Sequence, residues 1–136
     1  MTDICQAIYA YLGKNEQIRE RVGNKIFPIM LPEDAPLPAI VYSPVLANYD
    51  SALQGDTGFV RQTMQFVCHD RTFKKARELS RMVKRAFQDF HGNMCGLEVQ
   101  AVFIKTDYEY NGNTALKFNT EEYLSSIEFE FYYNEK

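Results

Sequence analysis

The sequence predicts an α+β fold, in which a mostly antiparallel four- to five-stranded sheet carries one long helix and two short N-terminal helices. Segments 59–69 and 123–133 alternate apolar and polar residues, which is typical of strands with one buried face. Segment 72–91 repeats apolar residues at intervals of three and four, which predicts an amphipathic helix. The 136 residues fit a single domain, 1–136. The predicted element order is α-α-β-β-β-α-β-β.

Capping residues mark the two N-terminal helices. Thr2 or Asp3 supplies the N-cap of the first helix, which Gly13 is expected to end. Asn15 supplies the N-cap of a second, shorter helix that Gly23 closes. Both helices carry apolar residues three or four positions apart, so each is expected to bury one side.

Prolines restrict the first two strands. Pro28 limits segment 26–31 to a short edge strand or an extended arm, because proline cannot donate a ladder hydrogen bond. Segment 39–46 is a strand in which Pro44 predicts an edge position or a bulge. Segment 47–58 is rich in Asn, Asp, Ser and Gly, so we expect a loop. A loop of about a dozen residues exceeds the usual connection and is often functional.

The strand after the long helix is predicted over segment 97–110. Period-two alternation places Val99, Ala101 and Phe103 on one side of it. Asn111-Gly112 is a turn signal between this strand and the last one.

No catalytic, cofactor or metal site is predicted. The three cysteines are far apart and form no CxxC pair, and neither a P-loop nor a dinucleotide fingerprint is present. Cys68, His69 and Asp70 are consecutive, but adjacent side chains on a strand point to opposite faces. We therefore expect no enzymatic activity. The N-terminus does not look like a signal peptide, and no apolar run approaches the ~20 residues that a membrane-spanning helix needs.

Charge is unevenly distributed, although the net charge is only -3. Segment 71–91 contains seven basic and two acidic residues, whereas segment 97–136 contains eight acidic and three basic residues. Three interpretations of the basic helix remain open. It is an ordinary solvated face, a nucleic-acid-binding surface, or a surface that docks on the acidic strands of a neighbouring copy.

The sequence favours a protein that works through contacts with copies of itself or with partners. The loop 47–58 is the best candidate for a partner contact, with a mobile connector as the alternative. The candidate interface also includes outward-facing residues of two strands and the basic face of the long helix. The candidate interface residues are Tyr49, Asp50, Leu53, Gln54, Asp56, Arg61, Lys74, Arg81, Lys84, Arg85, Glu128 and Glu130.

Several local patterns, in their order and spacing, make this chain similar to the tail completion proteins of long-tailed phages, also called head-to-tail joining or tail-terminator proteins. The resemblance covers nearly the whole chain. It rests on the helix over 4–12, the run Arg21-Val22-Gly23-Asn24-Lys25-Ile26-Phe27-Pro28, the run Leu37-Pro38-Ala39-Ile40-Val41-Tyr42, the strand end Gln65-Phe66-Val67-Cys68, the helix over 76–87 and the closing strand over 125–133.

The resemblance implies a structural protein of a phage or prophage tail, without enzymatic activity or cofactor. It implies a ring, commonly hexameric, at the top of the tail tube. Such a ring ends the tail and joins it to the head connector or adaptor, and DNA passes through its lumen. The implied partners are further copies of the chain, the tail tube protein and the connector, with no membrane. The implied locations are the virion tail and, during assembly, the host bacterial cytoplasm. The connection 110–123 is longer than the resemblance leads us to expect.

Overall fold

The computed structural model of the protein describes residues 3–52, 55–111 and 122–135. Within these residues the fold is α+β, as predicted, with three helices and six strands. The helices are α1 (Ile4–Lys14), α2 (Glu16–Val22) and α3 (Phe73–Phe87). The strands are β1 (Ile26–Pro28), β2 (Ala39–Ala52), β3 (Gly55–Asp70), β4 (Gly92–Met94), β5 (Leu97–Asn111) and β6 (Tyr123–Asn134).

The six strands form one sheet in the order β1-β2-β3-β6-β5-β4. The prediction of four to five strands was too low, because β4 has only three residues and shows no alternation to detect. All pairings are antiparallel except that of β1 with β2, which is parallel. The long strands β2, β3, β6 and β5 make up the centre of the sheet, and β1 and β4 each cover part of one edge.

The caps fix the helices largely where the sequence predicts them. Asp3 forms a capping box with Gln6, and Asn15 accepts a hydrogen bond from the Ile18 N–H at the start of α2. Gly23 ends α2 at a φ of 61°, a conformation that costs glycine little. α1 continues one residue past Gly13, to Lys14.

α3 is shorter than the predicted 72–91 helix. Thr72 caps its N-terminus by accepting a hydrogen bond from the Lys75 N–H. The helix ends at Phe87, and Gly92 begins β4. Asp89 lies between them at a φ of 61°, so the chain has already left the helical conformation.

The three helices pack on one face of the sheet, which we call the inner face. Phe87 of α3 stacks on Phe66 of β3, with ring centroids 5.0 Å apart, and lies 5.4 Å from the ring of Phe131 of β6. All three rings are fully buried. Burial of a large aromatic side chain stabilises a fold by about 1.5–3 kcal/mol, so this cluster fixes α3 on the sheet.

The predicted loop 47–58 is wrong. β2 continues to Ala52 and β3 begins at Gly55, so the two strands form a long hairpin. β6 pairs with β3 only from Phe59 onward, so the end of the hairpin extends beyond β6. The polar and glycine-rich composition therefore marks an exposed hairpin, held by cross-strand pairing that composition alone does not reveal.

A bulge in β5 also contradicts the predicted pattern. The pairing with β6 shifts register between Val99 and Ala101, which leaves Gln100 as an extra residue. Val99 is buried on the inner face, whereas Phe103 points outward and is 54% exposed. A second shift, between Pro44 and Leu46 of β2, confirms the bulge that Pro44 predicts.

Candidate assembly interface

The predicted interface residues fall on two surfaces on opposite sides of the sheet. Leu53 and Gln54 lie outside the described residues, and Asp56 pairs with Ser51 near the end of the hairpin. The first surface belongs to the hairpin and to the outer face, the side of the sheet away from the helices; it includes Asp50, Arg61, Glu128 and Glu130. Tyr49 also belongs to the hairpin, but it pairs with the core residue Val60, so the register places it on the helix side. The second is the exposed side of α3; it includes Lys74, Arg81, Lys84 and Arg85.

The hairpin and the outer face meet around a cavity of about 260 Å³, which we call the hairpin cavity. Alternation along β3 and β6 brings Arg61 opposite Tyr132. Three of the predicted residues, Tyr49, Asp50 and Arg61, line this cavity. The complete lining is Asn48, Tyr49, Asp50, Phe59, Val60, Arg61, Gln100 and Tyr132.

Side-chain hydrogen bonds stiffen the hairpin where it leaves the sheet. The Thr57 hydroxyl lies 3.1 Å from the Asp50 carbonyl oxygen and 3.0 Å from its carboxylate Oδ2. The Phe59 N–H donates to the Thr57 hydroxyl oxygen at 3.3 Å. The Glu135 N–H donates to the carbonyl of Gly58, which ties the end of the chain to the base of the hairpin. These hydrogen bonds therefore fix the base of the hairpin to the sheet.

The acidic residues of the outer face have local partners. The Tyr132 hydroxyl donates to a Glu130 carboxylate oxygen at 2.7 Å, and the Thr106 hydroxyl lies 3.3 Å from one of Glu128. Both glutamates are partly buried. They alternate with Phe129 and Phe131, so they face away from the helices.

The second surface is a groove of about 480 Å³ along the exposed side of α3, which we call the basic groove. Lys74, Arg81 and Arg85 line it together with Arg77, whereas the predicted Lys84 does not. The other lining residues are Phe73, Glu78 and Met82. Four basic side chains and one acidic side chain in one groove create a local positive potential.

The sheet separates the basic groove from the acidic outer face. α3 lies against the inner face, and Glu128 and Glu130 lie on the other side. Attraction between these two surfaces therefore acts between molecules rather than within one.

The sequence prediction missed the five residues that complete the hairpin cavity, which are Asn48, Phe59, Val60, Gln100 and Tyr132. Tyr132 follows from the alternation of β6, so the pattern could have shown it. Gln100 comes to the cavity through the bulge in β5, and no local feature of the sequence marks that bulge.

Cys68, His69 and Asp70 diverge, as the alternation predicts. Cys68 is buried in the core, and burial raises the pKa of its thiol, which disfavours the thiolate that a nucleophile needs. The His69 Nδ1 and a carboxylate oxygen of Glu122 form a buried hydrogen bond on the outer face. Asp70 accepts a hydrogen bond from the Arg71 N–H and lies 3.8 Å from a guanidinium nitrogen of Arg21.

Among residues 3–52, 55–111 and 122–135, no group of three His, Cys, Asp or Glu side chains could hold a metal ion. In the same residues no helix is long and apolar enough to cross a membrane.

Comparison with known proteins identifies the family. The family model described as "Tail completion protein gp17" matches residues 6–107. The chain belongs to the tail completion protein gp17 family. The resemblance seen in the sequence is thereby confirmed, and the protein has a structural role in a phage tail.

Solved structures share the fold of this tail completion protein. A chain from "Virion of native gene transfer agent (GTA) particle" superimposes with a TM-score of 0.69 at 13% sequence identity. The match covers 96% of this chain and 94% of that chain. No curated protein matches the sequence.

Proposed function

We propose that this tail completion protein forms a hexameric ring at the top of the tail tube, where it ends the tail and joins it to the head connector. Residues 1–136 act as a single domain. The partners are further copies, the tail tube protein and the connector or adaptor protein, and DNA passes through the lumen without being bound specifically. The ring assembles in the host cytoplasm and remains in the virion tail.

Family membership over 6–107 is the observation that carries this proposal. The fold shared with a chain of a gene transfer agent virion supports it. The geometry adds a physical reason. A basic groove and an acidic outer face on opposite sides of one sheet are suited to contacts between molecules, and charge complementarity sets their orientation.

The mass of the purified protein, measured with and without tail tube protein, tests the proposal. We expect a ring of defined mass, or a cap seen by negative-stain imaging on tubes whose growth has stopped. Tail tube protein incubated alone is the control. A protein that stays monomeric and leaves tube growth unchanged would contradict the ring, and turnover of a small compound by the purified protein would contradict the absence of enzymatic activity.

Nucleic-acid binding by α3 is a second candidate, favoured by the four basic side chains of the basic groove. Binding through phosphate contacts weakens steeply with salt. If the monomer binds DNA in this way, its affinity should fall between about 50 and 200 mM salt by roughly tenfold for every two phosphate contacts. Fluorescence anisotropy with a labelled duplex measures this, and the absence of binding at the lower salt concentration would exclude the candidate.

A further inference from the structure

The sheet has two open edges, one at each end. β1 pairs with β2 only at Ile40, Val41 and Tyr42, and β4 pairs with β5 only at Leu97, Glu98 and Val99. In the described part of the chain, no strand pairs with β2 after Tyr42 or with β5 after Val99 on these edges. An open edge presents unpaired backbone groups that can pair with another chain.

The open segments of β2 and β5 lie at the same level along the strand direction, because the same rows of cross-strand partners connect them. One row of cross-strand partners runs from Ser43 through Gln65 and Glu128 to Thr106. Another row runs from Asn48 through Arg61 and Tyr132 to Ala101. The open segments 43–48 and 101–106 therefore span the same rows, six residues on each edge.

Exposed apolar side chains concentrate on these two edges. Among residues 3–50, 57–106 and 122–135, nine large apolar side chains are exposed, and six of them belong to the edges. Such a concentration marks a contact surface, because soluble monomers rarely expose large contiguous apolar patches. The six are Ile29, Met30, Val45, Leu46 and Tyr49 on or beside β2, and Phe103 on β5.

Leu46 and Phe103 occupy the same row and the same face. Leu46 pairs with Thr63, Thr63 with Glu130, and Glu130 with Phe103. Leu46 is 52% exposed and Phe103 is 54% exposed. The ring of Phe103 makes an edge-to-face contact with the ring of Tyr132, and the two ring centroids are 5.5 Å apart.

The strand directions fit a repeated junction. β3 is antiparallel to β2, β6 to β3 and β5 to β6, so β2 and β5 run in opposite directions. Rotation of one copy about an axis along the strands keeps these directions. β2 of one copy then meets β5 of the next in antiparallel orientation, which is the more stable pairing. A head-to-tail contact of this kind closes into a ring when the rotation permits.

The short strands limit how far the two segments can pair. β1 lies beside β2 before Ser43, and β4 lies beside β5 before Gln100. β5 shifts register between Ile104 and Thr106, which leaves Lys105 as an extra residue. A bulge bends its strand, so β5 turns away at the end where β1 of the neighbouring copy lies. β2 has its bulge within the segment, at Val45 between Pro44 and Leu46.

Ile29 extends the apolar edge of β2. It has a φ of 71°, which is an outlier for a β-branched residue, and its N–H donates to the Tyr42 carbonyl at 2.9 Å. Strained backbone of this kind is retained where surrounding contacts or function require it. Here the strained turn carries Ile29 and Met30 outward beside the open segment of β2.

We infer that segment 43–48 of β2 pairs with segment 101–106 of β5 in a second copy of this chain, with Leu46 packed beside Phe103. This inference rests on the proposed ring and deepens it by naming the junction. The sheet then continues from copy to copy, and the apolar side chains of both edges are buried.

Charged substitutions test the junction through assembly. Leu46→Lys alone and Phe103→Asp alone should each reduce ring formation at least tenfold, because each buries a charge without a partner. Mixed in equal amounts, the two variants should assemble again. In a ring that alternates them, the lysine of Leu46→Lys meets the aspartate of Phe103→Asp at one junction and Leu46 meets Phe103 at the next, so no charge is buried without a partner. The double variant should also assemble, because opposite charges then meet. Tyr9→Asp, at a similarly exposed ring on α1, is the matched control and should assemble normally.

Cysteine pairing gives a direct readout in the same assembled material. In a Cys5→Ser and Cys95→Ser background, chains carrying both Leu46→Cys and Phe103→Cys should form a ladder of disulfide-linked multimers. The Cα atoms of antiparallel cross-strand neighbours lie about 4.5–5.5 Å apart, which is within the range of Cα–Cα distances that a disulfide can bridge. The single variant Leu46→Cys should give no covalent dimer.

The outcomes separate this junction from the proposed ring. A wild-type protein that forms no ring with or without tail tube protein would overturn both. A ring that forms normally in Leu46→Lys and Phe103→Asp would overturn the junction and leave the ring standing. Assembly lost in Leu46→Lys but not in Phe103→Asp, or a covalent dimer of the Leu46→Cys variant, would show pairing of β2 with β2 instead.

Discussion

The hydrogen bond between His69 and Glu122 is the clearest case in which one side-chain contact holds two distant parts of the chain together. His69 is the last residue but one of β3 and Glu122 precedes β6, and both side chains are buried. The sequence draws attention to His69 through its neighbours Cys68 and Asp70. Its partner lies 53 positions away, and only the pairing of β3 with β6 brings the two together.

Glu122→Gln should lower the free energy of unfolding by about 1–3 kcal/mol, because it removes the carboxylate that is hydrogen-bonded to a buried imidazole. Urea denaturation of the monomer measures the change. Glu98→Gln, on an exposed carboxylate of β5, is the control and should change the value by less than about 0.5 kcal/mol. Equal effects of the two substitutions would show that the pair contributes nothing to stability.

Tyr133 makes stability sensitive to alkaline pH. Burial, with a smaller contribution from Glu135, raises the pKa of Tyr133 from 10.0 to about 12. Between these values the unfolded chain loses the phenolic proton and the folded chain keeps it. The free energy of unfolding should therefore fall as pH rises from 10 to 12. The variant Tyr133→Phe should show a shallower fall, measured by urea denaturation at several pH values. An unchanged slope would contradict this assignment.

At the scale of secondary-structure elements, periodicity predicts what repeats and misses what interrupts the repeat. The stripe of α3 and the alternation of β6 identify Phe87, Phe129 and Phe131 as core residues, and all three are fully buried. The bulge at Gln100 turns the next residues over, so Phe103 points outward instead of inward. A bulge is fixed by pairing with a partner strand, and the single strand carries no sign of it.

The hairpin shows that amino-acid composition, like periodicity, does not predict how strands pair. Segment 47–58 has the residues of a loop, yet it forms the ends of two paired strands. The polar composition predicts that the segment is exposed, and Tyr49 and Asp50 are exposed. It does not predict the register in which the two strands pair. The segment predicted as a partner contact is therefore at the surface, and the pairing of β2 with β3 fixes its backbone.

Shortening the hairpin should weaken assembly without unfolding the protein. Replacement of residues 51–56 by Asn-Gly removes the part of the hairpin farthest beyond β6 and keeps the hydrogen bonds of Thr57 to Asp50. We expect a melting temperature within a few degrees of the wild type, since the buried cluster of Phe66, Phe87 and Phe131 is unchanged. Ring formation, measured by mass, should fall at least tenfold. Undiminished assembly would show that the hairpin is only a connector.

At the scale of the whole molecule, the sheet acts as a wall with different chemistry on its two sides. The basic groove lies on the helix side, and Glu128 and Glu130 lie on the other. The net charge of -3 conceals this polarity, because the two regions nearly cancel. A molecule with such a distribution is oriented by its neighbours even where the total attraction is small.

Salt should therefore weaken assembly. Exposed charges are screened over about 10 Å at 0.1 M ionic strength and over about 3 Å at 1 M, so the yield of rings should fall across that range. Lys74→Gln, Arg81→Gln and Arg85→Gln combined should remove most of the salt dependence, because they leave only Arg77 and Glu78 charged in the basic groove, and these two cancel. The matched control combines Lys14→Gln, Arg19→Gln and Lys25→Gln, which changes the net charge equally on α1, on α2 and in the turn after it. If assembly of the wild type, the groove variant and the control responds to salt in the same way, the basic groove takes no part in the contact, and the apolar edges of β2 and β5 are left as the surfaces that join the copies.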